Sequence, residues 1–142
     1  MMIKPFELFM NTSMVRKTIP NSSMAKALIQ KAELRIKRVQ EITDDESSLV
    51  FEDLYESLRE ASQSLMEMHG YKPYSHEVLI SFLDKEKLLS KEKLVIFDNY
   101  RILRNNSVYL AQKISLEKAK EAYRFIKEII PEIKNKLDTL IK

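Results

Sequence analysis

A polar stripe between residues 98 and 109 has the residue types and the spacing of an anion-binding site. At about 100° per residue, a helix places Asp98, Arg101, Asn105 and Tyr109 within roughly 80° of one another, and Arg104 flanks Arg101. Guanidinium groups make charge-assisted, bidentate hydrogen bonds to phosphate oxygens, and a tyrosine ring can stack on a base. The stripe therefore predicts a site for a phosphate-bearing ligand, with a solvated helix face as the alternative.

The opposite face of the same helix is apolar. Ile96, Leu103 and Leu110 fall within about 40° of one another, so we predict that they face the core. The run 105–107 (Asn-Asn-Ser) consists of poor helix formers. It marks either a polar site inside the helix or the end of the helix near this run.

Other titratable residues are few. His69 is predicted to cap the end of the second helix, and His76 to orient the start of the third, with an approach to the polar stripe as the alternative. Asp53 and Glu56 fit an acidic helix face. With two histidines, no cysteine and one glycine, the chain lacks the residues for a three-histidine zinc site, a thiolate metal site or a P-loop. We expect neither a metal nor a cofactor.

Five helices must position these residues. Good capping residues precede the first helix (Asn21, Ser22 and Ser23) and the last three (Ser75, Ser90 and Ser115), residues 44–48 form a loop and cap before the second, and Gly70 ends the second. The predicted helices cover residues 24–42, 49–69, 76–85, 91–112 and 116–142. Pro131 is predicted to kink the last helix, and the segment 71–74 to form a turn.

Apolar spacing defines the predicted core of the first two helices. In the first helix the stripe is Leu28, Ala32, Ile36 (or Leu34) and Val39; in the second it is Leu54, Leu58, Ala61, Leu65 and Met68. The predicted fold class is all-α, an up-and-down bundle of about five helices in a single domain of 142 residues. Residues 1–22 form an N-terminal extension, which either packs as a short extra helix or stays mobile, and residues 23–142 form the bundle.

Charge is segregated along the chain. Residues 1–40 carry eight basic and two acidic side chains, whereas residues 41–70 carry one basic and nine acidic. This predicts that a basic first helix pairs with an acidic second one, with binding of a charged partner as the alternative. No segment resembles a signal peptide or a membrane span, so we expect a cytoplasmic protein with no membrane contact.

Two segments resemble a known family. The sequence RILRNNSVY (Arg101 to Tyr109), after a helical FDNY, resembles the Arg-Asn-x-x-x-Tyr signature of archaeal proteins of the HEPN class, the higher eukaryotes and prokaryotes nucleotide-binding domains. The segment HGYKPYSHEVLISFL (His69 to Leu83) is similar to the glycine turn, Ser-His pair and apolar third helix of the same family. The resemblance covers roughly residues 23–135.

This resemblance implies a homodimer with the polar motif in a cleft at the dimer interface. Active members are metal-independent ribonucleases, and some are toxins paired with a minimal nucleotidyltransferase antitoxin. Carried onto this chain, Arg104 matches the motif arginine, Asn105 the polar residue, and Tyr109 stands in the place of the motif histidine. A phenol with a pKa near 10 is a poorer general base than an imidazole. Arg104 and Tyr109 are thus the candidate catalytic pair, and Arg101, Arg104, Asn105 and Tyr109 the candidate RNA- or nucleotide-binding set.

Two further functions stay open from the sequence. One is a non-catalytic helical dimer that serves as a protein interaction module, which fits the replaced histidine and the segregated charge. The other is a cleft that binds a nucleotide such as ATP without cleaving it.

Overall fold

Five helices form an up-and-down bundle in the computed structural model, which describes residues 3–141. The helices are α1 (Ser22–Arg38), α2 (Ser47–Met68), α3 (His76–Lys85), α4 (Lys91–Leu110) and α5 (Leu116–Ile141). Two short strands, β1 (Val15–Lys17) and β2 (Tyr71–Pro73), pair with each other, and a 3₁₀ helix covers Phe6–Phe9. The all-α prediction is confirmed. Positions 1, 2 and 142, which the sequence assigns to the extension and to the last helix, lie outside the described residues.

The predicted helix boundaries agree with the structure to within a few residues. The side chains of Asn21, Ser75, Ser90 and Ser115 each accept a hydrogen bond from a backbone N–H in the first turn, at 3.0 to 3.3 Å. α1 ends four residues early, because Val39 has an extended backbone. α5 continues through Pro131. Gly70 has a φ of 80°, and a Cβ there would lie 2.7 Å from the carbonyl oxygen of Thr18, so glycine is required.

α2 is the central helix and contacts each of the other four. Leu54, Leu58, Ala61 and Leu65 are buried as predicted, whereas Met68 is only partly covered. Three serine side chains of α2 are buried too, and backbone carbonyls accept their hydrogen bonds: Ser57 donates to Ala32 of α1, Ser62 to Leu58 and Ser64 to Ala61. A helix buried on nearly every side therefore keeps its polar groups satisfied.

The core stripe of α1 differs from the prediction. Ala25, Ile29 and Ala32 are the buried residues, Leu28 and Ile36 are partly buried, and Leu34 is exposed. Two alanines bring the α1 and α2 backbones close together, which lets Ser57 reach the Ala32 carbonyl at 2.8 Å. The predicted stripe was right at Ala32, and Ile36 and Val39 pack against the core although partly exposed, but the stripe missed the buried Ala25 and Ile29.

α4 also turns a different face to the core from the one predicted. Leu94, Phe97 and Tyr100 are buried, whereas Ile96 and Leu103 are only partly covered and Leu110 is 72% exposed. Apolar residues surround much of this helix, so its period alone is ambiguous, and the two aromatic rings bury the larger area. In consequence the flank that carries Arg101 and Arg104 lies closer to the core than predicted.

The N-terminal extension packs onto the bundle, in line with the first of its two predicted alternatives. Phe6 is buried with its ring against Tyr71 and Phe82, at centroid distances of 5.3 and 5.5 Å. β1 then pairs antiparallel with β2, Arg16 opposite Lys72. The predicted turn at 71–74 is therefore wrong: its first three residues form a strand, because β1 supplies a partner that is distant in sequence.

No helix among residues 3–141 is both long and apolar enough to cross a membrane.

Candidate functional site

The start of α3 and the C-terminal half of α4 enclose a pocket of about 240 Å³, here called the α3–α4 cleft. Its lining residues are Ser75, His76, Glu77, Arg101, Arg104, Asn105 and Tyr109. Arg101, Arg104, Asn105 and Tyr109, the four residues predicted to bind a ligand, thus line one pocket. The run 105–107 lies inside α4, which continues to Leu110 before Ala111 takes a left-handed conformation. The alternative of an early helix end is therefore wrong.

Arg104 is the cation with the fewest internal partners in the cleft. Its Nη1 donates to the Asn105 side-chain oxygen at 3.1 Å, and its guanidinium lies 5.9 Å from the centre of the Tyr109 ring. Among residues 3–141 no carboxylate lies within ion-pair distance of it. Most donors of this half-buried guanidinium are therefore available to an anionic ligand.

Arg101 is held by carboxylates instead. Its Nε donates to Asp98 at 2.8 Å, and its Nη1 lies 3.9 Å from Glu77. Asp98, which the sequence places on the same polar stripe as Arg101, is buried, so the alternative of a solvated face does not hold for it. Arg101 is therefore held in the wall of the cleft by carboxylates, and its positive charge is less available to a ligand than that of Arg104.

Tyr109 supplies an exposed ring at the rim of the cleft. Its side chain is 72% exposed, and the contact with Arg104 is a cation–π arrangement. Ser107, two residues before it, donates to Glu52 at 2.7 Å and ties this end of α4 to α2. The ring thus projects from a helix end whose backbone is fixed.

His76, at the start of α3, also lines the cleft. This was the alternative to its predicted role of orienting the start of α3. Its Nδ1 lies 2.8 Å from the hydroxyl of the fully buried Tyr55, and the two rings are stacked. A buried phenol O–H without an acceptor is costly, so Tyr55 donates to Nδ1 and the proton of the neutral imidazole is on Nε2. The sequence carried no signal for this pairing, because Tyr55 and His76 are 21 residues apart.

The environment keeps the imidazole neutral. Burial, then the positive charges of Arg104 and Arg59, lower the pKa of His76 to about 4. Burial likewise raises the pKa of Tyr55 above its ordinary value. At neutral pH the cleft therefore contains an uncharged N–H donor beside a free guanidinium.

A second, wider groove of about 780 Å³ lies between α1 and α2, and Arg104 lines it as well. Its other charged residues are mixed in sign: Arg35, Arg38, Glu41, Glu46, Glu52, Asp53 and Glu56. The carboxylates outnumber the arginines, so this groove repels a phosphate chain more than it attracts one. Arg104 thus stands at the junction of an open, mixed-charge groove and the smaller α3–α4 cleft.

The remaining candidates have structural contacts. His69 Nδ1 lies 2.8 Å from the Leu65 carbonyl oxygen at the end of α2, as a capping residue would. Asp53 and Glu56 are paired with Arg35 and Arg59 rather than simply solvated. Within residues 3–141, no group of three histidine or acidic side chains lies close enough together to hold a metal ion.

Comparison with known proteins gives no match: neither a family model, nor a curated protein, nor a solved structure matches this chain.

Proposed function

We propose that this chain is a HEPN-type helical protein that binds RNA in the α3–α4 cleft. The observation that carries the proposal is Arg104, a half-buried guanidinium with no carboxylate partner among residues 3–141, beside the exposed Tyr109 ring. Arg104 would bind a phosphate oxygen, and Tyr109 would stack on a base. The neutral His76 would donate a hydrogen bond from Nε2 to the same nucleotide.

The groups in the cleft favour binding over cleavage. With Nδ1 of His76 occupied by Tyr55 and Nε2 protonated, the imidazole has no free lone pair for a proton. Tyr109 stands where the resemblance implies a histidine, and a phenol is a poorer general base than an imidazole. We therefore expect the chain to retain RNA with little or no metal-independent cleavage.

The test is incubation of the purified protein with a mixed pool of single-stranded and structured RNA in the presence of a chelator. Arg104→Ala should lower retention at least tenfold, since a charge-assisted bidentate contact is lost. Arg124→Ala, an arginine of α5 outside the cleft, is the matched control. Equal retention by wild type and Arg104→Ala would overturn the proposal.

Cleavage is read in the same assay with Tyr109→His. This variant restores the histidine of the resembled motif at an exposed position, where an imidazole titrates near neutral pH. New cleavage that Arg104→Ala abolishes would place a ribonuclease scaffold at this cleft. Unchanged RNA in every sample would leave a binding protein, and a nucleotide panel in a thermal shift assay would then test ATP and related ligands.

The resemblance adds partners to the proposal. The chain would act in the cytoplasm as a homodimer, and as the toxin-like half of a pair with a minimal nucleotidyltransferase. Support for the dimer comes from an exposed apolar stripe on α4, formed by Val95, Ile102 and Tyr109 at seven-residue spacing. The corresponding cellular test is growth on expression of wild type and of Arg104→Ala.

The same stripe supports the alternative function, a non-catalytic helical dimer that serves as an interaction module. Charge supports it in part, because α1 has five basic residues and only two of them form ion pairs within residues 3–141: Arg35 with Asp53 and Glu60, and Lys31 with Glu60. A partner bound by the first helix should dissociate steeply with rising salt. A flat salt response would exclude charge on α1 as the link.

A further inference from the structure

The two-stranded ribbon displays an unusual pair of charges on its outer face. Arg16 of β1 lies directly opposite Lys72 of β2. Side chains alternate between the two faces of a strand, and the neighbouring Val15 is buried against the core. Arg16 and Lys72 therefore both point away from the bundle, with their Cβ atoms about 5 Å apart.

This pair of cations has no internal compensation. Like charges directly opposite on paired strands destabilise the ribbon. Among residues 3–141, no carboxylate forms an ion pair with Arg16, with Lys72 or with the exposed Lys17. The two adjacent cations on the ribbon therefore do not stabilise the fold.

An aromatic residue and a methionine continue the same face. The Tyr74 N–H donates to the Met14 carbonyl oxygen at 2.8 Å, which extends the ladder by one pair beyond the strands. Met14 and Tyr74 each lie one residue beyond a strand, and both side chains are exposed, Tyr74 to 58%. We call this set of Met14, Arg16, Lys72 and Tyr74 the basic ribbon.

The basic ribbon is adjacent in sequence to the α3–α4 cleft. Tyr74 precedes Ser75 and His76, which line that cleft. Three residues separate Lys72 from His76, so their Cα atoms are at most about 14 Å apart. A single-stranded nucleic acid of several nucleotides is long enough to span this distance.

We propose that the basic ribbon binds the backbone of single-stranded RNA where the strand leaves the α3–α4 cleft. Arg16 and Lys72 neutralise successive phosphates, and Tyr74 stacks on an unpaired base. Cations that track a backbone beside exposed aromatic rings are the general design of single-strand binding surfaces. The inference rests on the proposed RNA-binding function and extends the bound segment beyond one nucleotide.

The test is fluorescence anisotropy with a single-stranded RNA of about twelve nucleotides, a length within the site sizes of single-strand binders. The double variant Arg16→Gln/Lys72→Gln should weaken binding about tenfold. It should also reduce the slope of log affinity against log salt by about 1.4, since each contact to a single strand contributes about 0.7. The matched control, Lys26→Gln/Lys120→Gln, removes two exposed cations from α1 and α5 and should change neither quantity appreciably.

Tyr74→Leu separates stacking from charge. It should weaken binding about tenfold and leave the salt slope at its wild-type value, because it removes no cation. The double variant should melt no lower than wild type, since it relieves a like-charge contact. Misfolding therefore does not account for a loss of affinity.

The outcomes distinguish this inference from the function on which it rests. If Arg104→Ala weakens binding while the ribbon variant behaves as its control does, the ribbon inference is overturned and the cleft stands. If the ribbon variant alone weakens binding, the cleft is overturned, and with it the inference that the ribbon continues the path of a strand bound in the cleft. If the wild type does not bind the RNA, both are overturned.

Discussion

At the scale of single residues, the neighbours of each arginine decide what it can do. Arg101 and Arg104 are three residues apart on α4, and both line the cleft. Arg101 is engaged by Asp98 and Glu77, whereas Arg104 donates to a neutral amide oxygen, lies beside an aromatic ring, and forms no ion pair among residues 3–141. Both arginines belong to the predicted binding set, but Arg104 is therefore the more available of the two to bind an anionic ligand.

His76 allows a test of the cleft without any ligand. Its pKa in the folded chain, about 4, is below its ordinary value of 6.5. Between these values the unfolded chain binds more protons than the folded one, so the free energy of unfolding should fall as pH decreases from about 6.5 to about 4. His76→Gln keeps an acceptor for the Tyr55 hydroxyl but does not titrate, and should make this fall less steep.

Urea melts of both proteins across that pH range measure the difference, and carboxylates common to both cancel in the comparison. NMR titration of the imidazole gives the pKa directly. Parallel stability curves for wild type and His76→Gln, or a titration midpoint near 6.5, would show that the imidazole is solvated rather than enclosed by Arg104, Arg59 and Arg101.

At the scale of elements, local signals predict helices well and orientations poorly. The caps at Ser75, Ser90 and Ser115 depend on a hydroxyl and the next two or three residues, so they are visible in the sequence. The rotation of α4 depends on which of several apolar stripes buries more area against α2 and α5, which no local period encodes. The ribbon depends on pairing between residues 15–17 and 71–73, which is non-local and too short to show a period.

The same limit applies to the candidate site. The four stripe residues of α4 could be predicted because they share one helix, whereas His76 and Tyr55 come from two other helices. Their convergence is a property of the packing of α2, α3 and α4. Arg16 and Lys72 likewise come together only in the folded chain, because α1 and α2 separate their two strands in the sequence.

The contact between α1 and α2 yields a stability prediction at this scale. Arg35 donates from Nε to Glu60 at 2.7 Å and also binds Asp53, and Glu60 is almost fully buried. Arg35→Ala should lower the free energy of unfolding by about 2–3 kcal/mol, because it leaves a buried carboxylate with only Lys31 as a partner.

Chemical denaturation checks this prediction, with Arg38→Ala as the matched control. Arg38 is on the same helix but exposed and forms no ion pair among residues 3–141, so its loss should change stability by less than about 0.5 kcal/mol. Equal losses for the two variants would mean that the α1–α2 ion pairs contribute nothing beyond a solvated surface charge.

At the scale of the whole molecule, part of the segregated charge is paired between α1 and α2, through Lys31 and Arg35 with Asp53 and Glu60. The basic α1 lies against the acidic α2 and is tied to α5 by Glu33 and Lys134, at 3.5 Å. The predicted intramolecular complementarity is thus confirmed. Among the groups that the described surface leaves without a partner are the guanidinium of Arg104, the cations of the basic ribbon, and the apolar stripe of α4.

The apolar stripe of α4 leads to a prediction about the oligomeric state. Val95, Ile102 and Tyr109 are 36%, 45% and 72% exposed, and residues seven apart drift only about 20° around a helix, so the three share one face. If two copies pair through this face, Tyr109 and the cleft of each copy lie at the interface. Ile102→Glu should then convert a dimer to a monomer, since it would bury a carboxylate without a partner.

Light scattering across a concentration series measures the mass, and Leu34→Glu, at an exposed leucine of α1, is the matched control. A monomeric wild type, or equal dissociation by both variants, would remove α4 as the dimer interface and leave the cleft complete within one chain.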